Sequence, residues 1–175
     1  WEGPLAPADG RTLPAVFRGA GYETYHHGKR GNVATRIQAS FEHDRYVQDD
    51  RERRSGRPGA RIAEAAIDFL RTRPSERPFL MFLAFEAPHD PRVADPADLA
   101  AYSVGRIPLP ANFMPLHPFD NGEMTVRDEA LAAWPRTEDE IREQLRDCYA
   151  VITGFDRSIG RILDALDDLN LRDET

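Results

Sequence analysis

PFLMFLAFEAPHDPR, Pro78 to Arg92, decides the reading of this chain. From Phe79 to Phe85 the residues are apolar without alternation, the pattern of a parallel strand covered on both faces rather than of one with a wet side. The run ends abruptly at Glu86, followed by Pro88, His89, Asp90 and Pro91. Proline cannot donate to a sheet ladder, so the chain turns there and the strand becomes a rigid post that aims His89. Ligands of open α/β sheets bind outside the carboxyl ends of the strands. His89 is thus a candidate site residue, with loop capping as the other use of its ring.

Upstream, ARIAEAAIDFLRTR sets Ile62, Ala65, Ala66, Phe69 and Leu70 on one helical face, and Pro74 breaks the pattern just before the strand. Helix followed by continuous buried strand predicts a layered α/β arrangement. Further back, TLPAVFRGAGYETYHHGK spaces Leu13, Val16, Phe17 and Ala20 as a helix of about two turns. Thr12 is its N-cap, Pro14 lies in its first turn, and Gly19 and Gly21 stop it. Tyr22 to His27 reads as a short strand ended by Gly28, which leaves Lys29 just beyond a strand end, as His89 is. Of 23 basic side chains only Lys29 is lysine. Lysine is a compact point charge and arginine a broad fork, so a crowded anion site distinguishes them; arginine-rich codon usage accounts for the rest.

Downstream, Ala94 to Arg136 is dense in proline, with room for a short helix over Pro96 to Tyr102. IPLPANFMPLHPFDNGEMTVRDEALAAWPRT is too long and irregular for an ordinary connection, and such loops often bind or cover ligands. His117, Asp120 and Asn121 are its candidate substrate contacts; a turn built by DNG is the alternative. Thr137 and Glu140 then form a capping box before Ile141, Leu145, Cys148, Ile152, Phe155, Ile159, Ile162 and Leu166, which recur in steps of four and three. This predicts one helix to about Leu169, roughly 30 residues and about 45 Å long, with a weak point at Gly154 and its stripe in the core. Coiled-coil pairing is the rival use of that stripe.

A chain of 175 residues that is 41% hydrophobic and 30% charged is globular, with one domain the default. A formal charge of −7 argues against a nucleic-acid partner. The run from Arg45 to Arg61 is diluted by acids and broken by glycine and proline, so it reads as a solvated loop. No apolar run reaches the roughly 20 residues of a membrane span. Cys148, the single cysteine, excludes an intrachain disulfide and reads as a small buried side chain. Only two strands are evident, although sheets commonly have about five or six, so part of the sheet is expected to lie outside this chain. Trp1 shows neither an initiator methionine nor a leader, and the true start is expected upstream.

Three blocks, TLPAVFRGAGYETYHHGK, RPFLMFLAFEAPHDPR and DCYAVITGFDRSIGRILDAL, resemble successive blocks of the sulfatases of the alkaline phosphatase superfamily. They are a helix and a strand ending in Gly-Lys, a buried strand ending in Ala-Pro-His-x-Pro, and a Tyr-x-x-x-Ile-x-x-x-Asp helix. The resemblance covers about Thr12 to Thr175 and implies a partial alkaline-phosphatase-like α/β/α sheet. It also implies sulfate ester hydrolysis by a formylglycine nucleophile with a calcium ion. By position Lys29 matches the family's sulfate-contacting lysine. His89 matches the histidine that contacts the sulfate and protonates the leaving oxygen, and the two are expected to converge on one cavity in the complete protein. An ammonium offsets the charge of the transferring group, and an imidazole exchanges protons at ordinary pH.

This chain departs from the family pattern in two places. Gly31 stands in GKRGN where the family often has a histidine, and His26 and His27 are not carried over to that role; they are read as ordinary strand residues. The Cys/Ser-x-Pro-x-Arg segment, the aspartates before it and the later Asp-Asn-Gly strand are absent, so residues 1–175 are read as an internal part of one catalytic domain. Calcium ligands and nucleophile are expected outside it, and the chain alone is expected to be inert. Family resemblance implies a periplasmic or secreted protein. The alternatives are a phosphoester or phosphonate hydrolase of the same superfamily, and a non-catalytic domain that binds through the loop from Ser103 to Arg136 and the long helix.

Overall fold

The computed structural model describes residues 11–29, 35–46, 53–73, 76–119, 122 and 131–175. Helix α1, Leu13–Gly19, begins as its sequence dictates, with the Thr12 hydroxyl accepting from the Ala15 amide at 3.4 Å. Strand β1, Glu23–Gly28, follows; after it come a single helical turn α2, Thr35–Gln38, and strand β2, His43–Tyr46. Helix α3, Ala60–Thr72, leads into β3, Phe79–Ala84, and a short helix α4, Pro96–Ala100, is capped by Asp95. Helix α5, Glu138–Asp168, spans 31 residues.

The strands form one parallel sheet in the order β2-β1-β3, a mixed α/β fold consistent with part of an alkaline-phosphatase-like sheet. Alternate residues of β3 assign the faces. Phe79, Met81, Leu83 and Phe85 pack on a cluster of Ala63, Ala66 and Leu70 from α3 with Ile162 and Leu166 from α5. Phe82 turns to the other face, its ring 5.8 Å from that of His26 and 6.3 Å from that of Phe41, and is 49% exposed, which corrects the expectation that β3 is covered on both faces: that side of it borders a groove. On β1 the same alternation puts Tyr25 against Phe69 of α3, ring centres 4.2 Å apart, and its hydroxyl donates to the Ala65 carbonyl at 3.2 Å.

Strand β2 is the third strand, and it corrects the reading of Arg45 and Tyr46 as solvated loop. It carries no apolar alternation because its polar side chains are matched to those of β1. Glu42, just before it, and Thr24 exchange bonds: the Glu42 amide donates to the Thr24 hydroxyl and the Thr24 amide to the Glu42 carboxylate, each at 3.0 Å. The His43 Nε2 meets the buried Glu23 carboxylate at 2.9 Å, and Asp44 meets His26 at 2.7 Å.

Two further expectations are corrected. Gly154 is no weak point, for α5 runs through it unbroken. A Cβ there would lie 3.0 Å from Pro58 Cγ and 3.2 Å from Asp98 Oδ2, so the missing side chain lets α5 approach the turn before α3. The buried stripe of α5 is built partly from small residues, Ala150, Gly154, Ser158 and Ala165, while Ile152 is 42% exposed and Cys148 half-buried. Likewise α1 buries Pro14 but leaves Leu13 and Val16 about half exposed. At the start of α5 the capping box is half formed: the Thr137 hydroxyl accepts from the Glu140 amide at 3.3 Å, but the Glu140 carboxylate turns to the Ala133 amide. Among the described residues no helix is long and apolar enough to cross a membrane.

Candidate active site

Lys29 owes its place to Gly28. That residue has φ of +117°, a conformation that L side chains rarely adopt, and a Cβ on it would stand 2.2 Å from the Ala84 carbonyl oxygen. Glycine therefore lets the end of β1 lie hard against the end of β3, and the Lys29 amide donates to the same Ala84 oxygen at 2.7 Å. The ammonium then reaches Glu86, two residues beyond β3, with Nζ 3.7 Å from Oε2.

Glu86 gathers the site. It is 9% exposed, and its Oε2 also accepts a 2.7 Å bond from the Arg53 guanidinium. Its backbone carbonyl accepts from the His89 amide at 2.9 Å, closing the turn that presents the histidine. Within that turn Ala87-Pro88 and Asp90-Pro91 are both cis. The His89 Nδ1 faces the Asp90 carbonyl oxygen at 2.8 Å and the Asp90 carboxylate at 3.0 Å. Both partners are acceptors, so Nδ1 carries the proton and Nε2 is the nitrogen left to exchange one.

Lys29 and His89 thus stand at the ends of neighbouring parallel strands and share Glu86, but they border different cavities. Lys29 lines a groove of about 370 Å³ with His26, Gln38, Phe41, Phe82 and Phe85. His89 lines a small cavity of about 20 Å³ with Arg53, Glu86 and Pro91. His117 is exposed; its Nδ1 bonds the Phe119 carbonyl at 2.7 Å and its ring meets that of Phe119 edge-on. Asp120 and Asn121 fall outside the described residues.

The two strand histidines are packed, as ordinary strand residues are. His26 is fully buried, with Nδ1 on Asp44. His27 is also buried, and its pKa is lowered to about 4, by burial first and then by the charges of Arg45, His26 and Arg61. A ring held neutral in this way supplies no cation to the site. Burial also raises the Tyr25 hydroxyl above its ordinary value.

Glu86, Arg53 and Asp90 were not among the sequence candidates. Glu86 had a signal, a carboxylate directly after an unbroken apolar run. Arg53 had none, because its partner is 33 residues away in the chain.

The described residues do not fit the family's metal ion, and the sequence has no Cys/Ser-x-Pro-x-Arg segment for its nucleophile. Among the described residues no group of three or more His, Cys, Asp or Glu side chains could hold a metal ion. Cys148 lies mid-helix in CYAVI, without the Pro-x-Arg that follows a formylglycine precursor. No step is therefore routed through calcium or formylglycine.

No curated protein matches the chain. A family model described as Sulfatase matches residues 4–175. The match spans nearly the whole chain, and the chain belongs to the sulfatase family, hydrolases of sulfate esters.

Proposed function

We propose that this chain supplies the Lys29 and His89 part of a sulfuric ester hydrolase site. The observation that carries it is that Lys29 and the His89 turn both follow the carboxyl ends of adjacent parallel strands, the Lys29 ammonium reaching the Glu86 carboxylate and the His89 amide the Glu86 backbone carbonyl. Lys29 offsets the negative charge of the sulfuryl group as it passes to the nucleophile. When the bond from sulfur to the alcohol oxygen breaks, its electron pair stays on that oxygen, and the His89 imidazolium delivers a proton from Nε2. Asp90 holds Nδ1 and so keeps the ring in the tautomer this requires. We assign the nucleophile and the calcium ligands to polypeptide other than these residues, which makes the chain one part of a catalytic domain and inert alone.

The test is Lys29→Ala and His89→Ala in the full-length protein. Each should lower kcat by about 100-fold or more, the usual effect of losing one electrostatic or proton-transfer group. Loss at His89 should be smaller for esters whose leaving alcohol is acidic, since such an oxygen departs without a proton. Unchanged turnover in both variants would refute the assigned roles.

A further inference from the structure

Among the described residues, the charged groups at the two strand ends are coupled. Lys29 and Arg53 are cations that share the single carboxylate of Glu86, Arg53 at 2.7 Å and Lys29 at 3.7 Å, which leaves one net positive charge. A His89 imidazolium is balanced by the Asp90 carboxylate 3.0 Å away, so that pair adds none. Glu86 is 9% and Arg53 20% exposed, and charges so placed are screened far less by salt than surface charges are.

A sulfate monoester bears one negative charge. A phosphate monoester of the same shape bears two above its second ionisation near about pH 6. Beside the buried Glu86 carboxylate the dianion meets more repulsion than the monoanion does, whatever charge the rest of the complete site carries. We propose that Glu86 is a specificity-determining residue, setting the charge of the site so that it accepts a monoanionic ester and disfavours a dianionic one. Arg53 is the positioning residue that holds its carboxylate. The inference deepens the sulfatase reading and rests on it.

One unit charge felt at roughly 7 Å through an effective dielectric of roughly 30 changes binding about tenfold. In the full-length protein, calorimetric titration with benzylsulfonate and benzylphosphonate, whose carbon-to-sulfur and carbon-to-phosphorus bonds a sulfate ester hydrolase does not cleave, reads the preference without turnover. At pH 8, Glu86→Gln should move the ratio of the two dissociation constants about tenfold toward the phosphonate, which is mainly a dianion there. At pH 5, where both ligands are monoanions, the ratio should move less than about threefold. Arg53→Gln should move it the opposite way at pH 8, a reversal of sign that loss of structural support would not produce. Arg53→Gln carries the test alone if Glu86→Gln does not fold. A ratio unchanged at pH 8, or shifted equally at both pH values, overturns the proposal. Lys29→Ala separates the two readings. If it binds benzylsulfonate as tightly as the parent, the Lys29 assignment itself falls; if it binds weakly while the ratio in the Glu86 and Arg53 variants stays fixed, only the role of Glu86 falls.

Discussion

Gly28→Ala is the most demanding perturbation of this structure, because it tests how the strand end that carries Lys29 is built. The new methyl would lie 2.2 Å from the Ala84 carbonyl oxygen, 2.8 Å from its carbon and 3.0 Å from Ile62 Cδ1. Two of these are backbone atoms of β3, which cannot swing aside as a flexible side chain would. A positive φ costs an L residue about 1 to 2 kcal/mol. Forcing a methyl into a filled space adds about 1 to 3 kcal/mol, and separating the strand ends loses the bond from the Lys29 amide, about 1 kcal/mol. The sum is about 4 kcal/mol, or a fall in Tm of roughly 8 to 16 °C for a domain of this size. Chemical denaturation and thermal unfolding of the purified protein read it directly. Gly19→Ala is the control, since it ends α1 with nothing within 4 Å of its Cβ position. That change should be neutral or slightly stabilising. If Gly28→Ala unfolds no earlier than Gly19→Ala, the account of the Lys29 strand end is wrong.

Further outcomes follow from single contacts. His27 has a pKa of about 4 in the fold against about 6.5 in an unfolded chain, so between these values the unfolded state binds more protons. Its contribution is complete above about pH 6.5 and is lost as pH falls toward 4, up to about 3 kcal/mol; His27→Phe should flatten the fall of denaturation midpoint from pH 7 to 4, and an identical slope would contradict this. Tyr25→Phe keeps the ring on Phe69 and loses the bond to the Ala65 carbonyl, so it should cost about 1 kcal/mol in urea unfolding. Thr137→Ala removes the hydroxyl that caps α5 and should cost a similar amount, about 1 kcal/mol; Thr137→Ser, which keeps the oxygen, should restore most of it.

Local chemistry wrote much of this protein legibly. Thr12 and Thr137 mark helix starts, the unbroken apolar run marks a strand, and Gly28-Lys29 and the Pro88-His89 turn mark where two strands have ended. These are decisions taken within a few residues, by capping, steric limits on φ and the period of apolar side chains, so one stretch of sequence contains the whole cause. Strand β2 and the Arg53 to Glu86 pair have no such local cause. HDRY is a strand because Glu23, Thr24 and His26 offer partners across the sheet, and Arg53 matters because the fold brings it to a carboxylate 33 residues away. Which face of α5 is buried was decided in the same way, by close approach at Gly154 and Ser158 rather than by the largest side chains. Residue pattern determines what each segment is; only the pairing of distant segments determines which charges meet, because Coulomb attraction and hydrogen bonding act through space and ignore separation along the chain.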